Sequence, residues 1–149
     1  MTTHEKRAGE LFLEGYNCAQ STFAAFADVL GMDEKAALRL SSAFGGGIGR
    51  LREVCGAASG MMMVLGVVEG YDVPDDEEGK KAYYARIQAL MGKFKDECGS
   101  YICRELLDVA GPEEPTPEKR TAKYHRERPC GQCVRYAARL VDEEVLRCE

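Results

Sequence analysis

The cysteines are the residues of this sequence best suited to chemistry, and there are 7 of them among 149 residues. Two of them form a C-x-x-C motif, Cys130-Gly-Gln-Cys133. This spacing suits either a dithiol that cycles with a disulfide or a pair of metal ligands. A secreted disulfide scaffold is disfavoured, because such proteins are small and loop-rich and usually have an even number of cysteines. We therefore expect metal ligation or reversible thiol chemistry in a reducing cytosol.

Cys55 lies at the start of an uncharged stretch, residues 54–68, with small residues at Gly56 and Gly60. As a helix, this stretch is apolar on every side, allows close approach by neighbouring helices and is too short to cross a bilayer. It therefore predicts a buried central helix. Unpaired N–H groups and the dipole at a helix N-terminus favour a thiolate. We expect either Cys55 or Cys130, which begins the last predicted helix, to be the attacking thiolate.

The sequence also allows a metal site built from thiolates alone. Zinc usually takes two regular C-x-x-C pairs or histidines, and His4 and His125 are the only histidines. None of the spacings typical of ferredoxins occurs, yet four thiolates on separate helices can hold zinc or an iron–sulfur cluster. The glycine-rich run at 45–49 lacks the dinucleotide and P-loop motifs, so nucleotide binding is not expected.

Apolar residues recur at helical spacing along the rest of the chain, and no run alternates as a strand would. Asn17 and Asp33 are the expected N-caps of two helices, and the glycines at 45–49 are expected to form a flexible turn into the central helix. We predict an all-α protein, a single cysteine-rich helical domain over residues 1–149. It is expected to be a bundle of about six or seven helices around the buried Gly/Ala/Met-rich central helix. Besides the central helix, the predicted helices cover residues 4–15, 17–30, 33–44, 77–98, 102–109 and a last segment from Cys130.

The charge balance restricts the partners that we expect. Lys and Arg number 20 against 25 Asp and Glu, which gives a net charge of -5 and repels nucleic acids and anionic membranes. The first residues lack the apolar core of a secretory signal, and no run of the sequence reaches membrane length. We expect a cytoplasmic protein with an unidentified redox partner, and the sequence is also compatible with a homo-oligomer.

Several short motifs follow one another from about Gly15 to about Leu140. They are Gly15-Tyr-Asn-Cys18-Ala-Gln, Phe44-Gly-Gly-Gly-Ile-Gly, Val54-Cys55-Gly-Ala-Ala-Ser-Gly60, Gly99-Ser-Tyr-Ile-Cys103-Arg-Glu-Leu-Leu, and Cys130 ahead of Val134-Arg-Tyr-Ala-Ala. Together these motifs resemble the C_GCAxxG_C_C family of redox-active proteins. Because they are separate and occur in the family's order over most of the chain, the resemblance is specific.

The resemblance implies a helical, cytoplasmic bacterial or archaeal protein whose spaced cysteines are redox-active or bind a metal, with no settled reaction or substrate. Carried over position by position, the family cysteines are Cys18, Cys55, Cys103 and Cys130. Cys133 is additional to the family pattern, and either it or Cys130 is the last family cysteine, depending on the alignment.

Three hypotheses about function follow. The leading one is a thiol oxidoreductase in which Cys18, Cys55, Cys103 and Cys130 converge and one or more pairs cycle between dithiol and disulfide. The main alternative is a non-catalytic metal-binding module that holds an iron–sulfur cluster or zinc through the same four cysteines. The third is a helical interaction or assembly protein whose cysteines only pack. Cys98 lies on the apolar stripe of its helix and is expected to be buried.

Overall fold

The computed structural model describes residues 1–147. Helices form where apolar residues recur at helical spacing. This range contains no strand, only an isolated antiparallel bridge between Val54 and Ile102, so the predicted all-α class is confirmed. No helix in this part of the chain combines the length and the apolar character that crossing a membrane requires. The helices are α1 (Thr3–Leu13), α2 (Cys18–Ala24), α3 (Ala27–Leu30), α4 (Glu34–Ser41), α5 (Gly56–Glu69), α6 (Glu77–Cys98), α7 (Cys103–Leu107), α8 (Ala122–Glu127) and α9 (Cys130–Leu140).

Polar caps set the starts of the early helices. The Asn17 side chain accepts a hydrogen bond from the N–H of Gln20, whose side chain in turn accepts one from the N–H of Asn17, and this reciprocal pair is a capping box. Asp33 caps α4 with a single bond of the same kind. Both caps were predicted. The predicted helix over residues 17–30 is divided into α2 and α3, because the backbone leaves helical geometry at Phe26 (φ -100°, ψ 7°), whose side chain is fully buried.

The predicted central helix corresponds to α5, and its first turns pack against α2. Ala57 and Met61 have no exposed surface. A Cβ added at Gly60 would lie 2.9 Å from the Cβ of Thr22 in α2, so small residues allow the close approach that the sequence indicated. The prediction that this helix is buried on every side is wrong for the C-terminal end of α5, where Val67 is 56% exposed.

The glycine-rich segment before α5 is a left-handed turn with defined geometry, where a flexible turn was expected. The backbone φ is positive at every residue from Gly46 to Arg50 and again at Arg52. The N–H of Gly49 donates to the carbonyl oxygen of Gly45 at 2.9 Å. Glycine adopts this conformation readily, whereas each of the non-glycine residues among them costs roughly 1–2 kcal/mol. Such strained backbone persists only where the surrounding structure holds it in place.

The long helix α6 and the last helix α9 begin where the sequence predicted. α6 ends at Cys98, and the next residue, Gly99, adopts the left-handed conformation that is common after a helix. α9 begins at Cys130, packs against α1 and continues into a π-helical turn, Val141–Val145. The apolar spacing of the last helix also predicts that Cys148 continues its inward face, but Cys148 lies outside the described residues.

A buried histidine–aspartate pair connects α1 to the π-helical turn. Nδ1 of His4 lies 2.6 Å from Oδ1 of Asp142, and the two residues are only 7% and 1% exposed. The other ring nitrogen of His4 lies 3.1 Å from Oδ1 of Asp28, and the ring stacks on Phe26 with 4.4 Å between centroids. Both ring nitrogens therefore have carboxylate partners, and the histidine joins segments from the two ends of the chain.

Candidate thiol site

A short backbone pairing places two cysteines side by side. The N–H of Cys55 donates to the carbonyl oxygen of Tyr101 at 2.8 Å, and the N–H of Cys103 donates to that of Glu53 at 2.6 Å. Cys55 is the N-cap of α5, and Cys103 is the first residue of α7. Gly47 makes room for this arrangement, since a Cβ there would lie 2.7 Å from the Cβ of Cys103. The pairing therefore brings both thiols to adjoining helix N-termini.

Cys18 reaches the same region because α2 and α5 approach closely. It is the first residue of α2. A Cβ added at Gly56 would lie 3.0 Å from the Cβ of Cys18 and 2.9 Å from the backbone nitrogen of Ala19. A larger residue at position 56 would push the two helices apart and separate Cys18 from Cys55.

These helix N-termini surround a cavity of about 280 Å³. Its wall contains every cysteine that the sequence analysis singled out as functional, together with arginines and an aromatic side chain. Residues that are distant along the chain thus meet at one place. The principal lining residues are Cys18, Cys55, Cys103, Cys130, Cys133, Arg50, Arg52, Arg120, Arg128 and Tyr124.

Cys130 is the thiol of this cavity with the strongest tendency to ionise. The Cys18 thiol donates a hydrogen bond to the Cys130 sulfur, and the guanidinium groups of Arg128, Arg120 and Arg52 add positive charge. These interactions outweigh burial and lower the pKa of Cys130 to about 7. Its place at the start of α9 adds the favourable end of the helix dipole. At neutral pH a large fraction of Cys130 is therefore thiolate, which is the nucleophilic form.

The other family cysteines of the cavity are held protonated. Burial raises the pKa of Cys55 to about 12. Burial also raises the pKa of Cys103, although a guanidinium nitrogen of Arg52 donates to its sulfur at 3.6 Å. The pKa of Cys18 lies well above its ordinary value because its thiol donates to Cys130. Of the two candidates for the attacking thiolate, Cys55 and Cys130, these pKa shifts favour Cys130, since desolvation outweighs the helix N-terminus at Cys55.

A network of ion pairs links the arginines of the wall. Nε of the buried Arg52 donates to Oε1 of Glu113 at 2.6 Å, and this bond lowers the pKa of the Glu113 carboxyl. Arg50 lies 3.7 Å from a carboxylate oxygen of Glu118, which also pairs with Arg128. Three guanidinium groups thus share two carboxylates, and the network retains excess positive charge.

Arg120 adds a charge that no carboxylate neutralises within the described part of the chain. Its guanidinium donates to the backbone carbonyl oxygens of Phe12 at 3.1 Å and Tyr16 at 3.0 Å. It also stacks on the Phe12 ring, with 4.2 Å from its central carbon to the ring centroid. Carbonyl oxygens orient the guanidinium but leave its full charge at the cavity wall.

The two cysteines of the C-x-x-C motif have different partners. Cys130 interacts with Cys18 through a hydrogen bond, whereas Cys133 interacts in the same way with Cys98. That bond, together with burial, raises the pKa of Cys133. None of the six cysteines in the described part of the chain is in a disulfide. Cys98 was expected to be buried, but it is part-exposed and belongs to a thiol pair. Nothing in the sequence indicates this pair, because Cys98 and Cys133 are far apart along the chain.

The sequence signalled only part of the positive charge. From the sequence, Arg126 and Arg128 stand shortly before Cys130 in a basic stretch, and their charge predicts a more stable Cys130 thiolate. Arg128 does lie at the cavity, whereas Arg126 is exposed and outside it. The roles of Arg52 and Arg120 were missed, since only the tertiary structure brings them to Cys130.

The donor set of the metal-binding alternative does not fit a metal in this arrangement. Among residues 1–147, no group of three or more His, Cys, Asp or Glu side chains is placed to hold a metal ion. The four cysteines of that alternative line one cavity, but they do not form such a group.

Comparison with known proteins identifies a family. The family model described as "Putative redox-active protein (C_GCAxxG_C_C)" matches residues 16–144. No curated protein matches the chain, and no solved structure matches it. The matched range includes every cysteine of the cavity as well as Cys98. The chain therefore belongs to the C_GCAxxG_C_C family.

Proposed function

We propose that this protein is a thiol oxidoreductase that reduces disulfides in the cavity, with Cys130 as the attacking thiolate and Cys18 as the resolving thiol. The observation that carries the proposal is that Cys18 and Cys130 line one arginine-rich cavity, in which the pKa of Cys130 is lowered. Thiol–disulfide exchange needs an accessible thiolate and a second thiol within reach of it. Membership of a family described as redox-active supports the same chemistry.

The exchange balances in two steps. The Cys130 thiolate attacks one sulfur of a substrate disulfide, whose S–S bond breaks; a mixed disulfide forms and the first substrate thiolate leaves. Cys18 then gives its proton to solvent and attacks the Cys130 sulfur, which releases the second substrate thiolate. The substrate disulfide has gained two electrons, and Cys18 and Cys130 are joined as a disulfide. A thiol reductant restores the dithiol.

The hydrogen bond between the two thiols also orders these steps. The hydrogen bond with Cys130 is the largest of the factors that raise the pKa of Cys18, and the negative charge of Cys130 raises it further. Once Cys130 is part of a mixed disulfide, that charge is gone and Cys18 ionises more readily. The resolving thiol is therefore held inactive until the attacking sulfur has reacted, which suits a sequential exchange.

The arginines of the wall favour an anionic substrate. Arg120 has no carboxylate partner among the described residues, and Arg50, Arg52 and Arg128 outnumber the glutamates with which they pair. Guanidinium groups bind carboxylates and other oxyanions strongly. The proposed substrate is a disulfide that bears carboxylate or similar groups, reduced in the cytosol, where free thiols persist.

The test uses an aromatic disulfide with carboxylate groups whose thiolate product absorbs visible light. The reduced protein is mixed with it under argon, and the fast phase of thiolate release is measured. Wild type should release two aromatic thiolates for each disulfide consumed. Cys18→Ser combined with Cys133→Ala, which leaves no neighbouring thiol to resolve Cys130, should release one and hold the other as a mixed disulfide, and Cys130→Ser should lose the fast phase. A fast phase that survives in Cys130→Ser contradicts the proposal.

A further inference from the structure

A second thiol pair lies beside the first one. Cys98, the last residue of α6, and Cys133 of α9 line the same cavity, and interaction with Cys98 raises the pKa of the Cys133 thiol. Cys133 is only 2% exposed, whereas Cys98 is part-exposed. The chemistry proposed above uses neither of them, although together they are a dithiol with one accessible sulfur.

Cys133 connects two cavities. It lines the arginine-rich cavity that contains Cys130, and it also lines a separate cavity of about 320 Å³ that contains Cys98. The two cavities share only Pro129 and Cys133 among their lining residues. The second one is bordered by both acidic and basic side chains, Glu97 and Arg139 among them. The two thiol pairs therefore open to different parts of the surface.

The helix register places the linking thiols within reach of each other. Cys130 and Cys133 are three residues apart in α9, so their side chains are neighbours on one face, with Cβ atoms about 5–6 Å apart in a regular helix. Disulfides usually have Cβ atoms about 3.5–4.5 Å apart. A small adjustment at the helix N-terminus, where the backbone is least constrained, is enough to join them.

We propose that Cys98 and Cys133 form a relay dithiol that takes the disulfide from Cys18 and Cys130 through α9, so that substrate reacts at one cavity and an external thiol reductant at the other. This inference rests on the proposed function. It assigns to the C-x-x-C motif the role of a transient bridge between two pairs.

The transfer balances in two exchanges. The Cys133 sulfur attacks Cys130, the Cys18–Cys130 bond breaks, and Cys18 leaves. The Cys98 sulfur then attacks Cys133, and Cys130 leaves as a thiolate. Two electrons have moved from the second pair to the first. Of the two protons lost by Cys98 and Cys133, one returns to Cys18 and the other passes to solvent.

The charge around the two pairs sets the direction of transfer. Arg52, Arg120 and Arg128 stabilise the reduced first pair because it contains a thiolate, and a disulfide whose reduced form is stabilised is the stronger oxidant. No arginine is among the groups that act on Cys133. The disulfide therefore moves from the arginine-rich cavity toward Cys98.

Disulfide mapping after a single oxidation tests the relay. Reduced protein carrying Cys148→Ser, which removes the one cysteine that is not among the described residues, is mixed without oxygen with an equimolar amount of the aromatic disulfide. Samples are quenched in acid, alkylated and analysed by mass spectrometry. The parent should show Cys18–Cys130 first and Cys98–Cys133 later. With Cys133→Ala the disulfide should stay at Cys18–Cys130, and with Cys98→Ser it should never leave Cys18, Cys130 and Cys133.

Turnover provides the second readout. With excess thiol reductant, Cys98→Ser should keep the fast first exchange and lose most of its steady-state rate. Because Cys98 is part-exposed, Cys98→Ser is expected to fold, so it tests the relay even if Cys133→Ala does not fold. A parent that retains Cys18–Cys130 as long as Cys133→Ala does, with steady-state turnover unchanged in Cys98→Ser, overturns the relay alone. If Cys18–Cys130 forms in none of these proteins, the proposed function fails and the relay with it.

Discussion

Removing the hydrogen-bond donor at Cys18 should change how the reactivity of Cys130 depends on pH. The Cys18 thiol is the largest of the factors that lower the pKa of Cys130 to about 7. Cys18→Ala deletes that donor, while Cys18→Ser keeps one on a side chain of similar size. Each variant removes the resolving thiol equally, so the difference between them isolates the hydrogen bond.

The size of the effect follows from the ionisation of Cys130. With a pKa of about 7, half of Cys130 is thiolate at pH 7, against roughly 3% for a thiol of ordinary pKa, about 8.5. A thiolate of higher pKa is intrinsically more nucleophilic, and its reaction rate rises by a factor of about five when the pKa rises from about 7 to about 8.5. Complete loss of the shift therefore slows alkylation about threefold at pH 7 and speeds it about fivefold at pH 10, with the two profiles crossing near pH 8. The arginines around Cys130 remain in Cys18→Ala, so the rate changes measured for this variant should be smaller than these values.

The assay measures the alkylation rate of Cys130 by iodoacetamide from pH 5.5 to 10, with site identification by mass spectrometry. Cys18→Ser should retain a midpoint near that of wild type, and Cys18→Ala should have a higher one. Equal profiles for the two variants would refute the hydrogen bond as the cause of the low pKa. Slower reaction of Cys18→Ala at every pH, without a crossing, would indicate changed access to Cys130 and not changed ionisation.

Three further predictions concern stability. Both Gly47→Ala and Gly49→Ala place a side chain on left-handed backbone, but only at Gly47 would the new Cβ lie 2.5 Å from a backbone nitrogen. Gly47→Ala should therefore lose about 1–3 kcal/mol more of the free energy of unfolding than Gly49→Ala, measured by thermal unfolding. Equal losses would contradict the close packing at Gly47. Asp142→Ala leaves Nδ1 of the buried His4 without its carboxylate partner and should lose about 3 kcal/mol. Asp28→Ala removes an exposed partner of the same ring and should lose less than about 1 kcal/mol; a larger loss for Asp28→Ala in urea unfolding would reverse this assignment. Because the folded-state pKa of Cys55 is about 12, the unfolded chain loses the Cys55 proton first as pH rises above about 8.5, and the free energy of unfolding falls. Cys55→Ala should lessen this fall by about 1.4 kcal/mol per pH unit between pH 9 and 11. An unchanged slope would contradict the burial of the thiol.

Local features of the sequence predicted the helices well. Asn17 and Asp33 were identified as caps because their side chains satisfy N–H groups only a few residues away. The helix over residues 77–98 and the start at Cys130 follow equally from nearby residues and apolar spacing. Prediction was less successful where packing decides the backbone: Phe26 divides one predicted helix, and α8 forms in the basic stretch where no helix was predicted.

The candidate site was predictable in its residue types but not in its pairing. The motifs identified the cysteines that line the cavity, and the order of those motifs indicated the family. They did not indicate that Cys130 would pair with Cys18 and Cys133 with Cys98. The C-x-x-C spacing suggests one pair, whereas the helix turns each sulfur toward a different neighbour.

The sequence by itself determined the helical class, the caps and the set of thiols, because hydrogen bonding to a cap and apolar periodicity act over a few residues. The tertiary structure alone decided which thiol ionises. Cys55 and Cys130 both lie at helix N-termini, yet burial raises the pKa of the first, while a donated hydrogen bond and arginines lower that of the second. Desolvation and charge act through space, so their balance depends on which distant segments fold against each thiol.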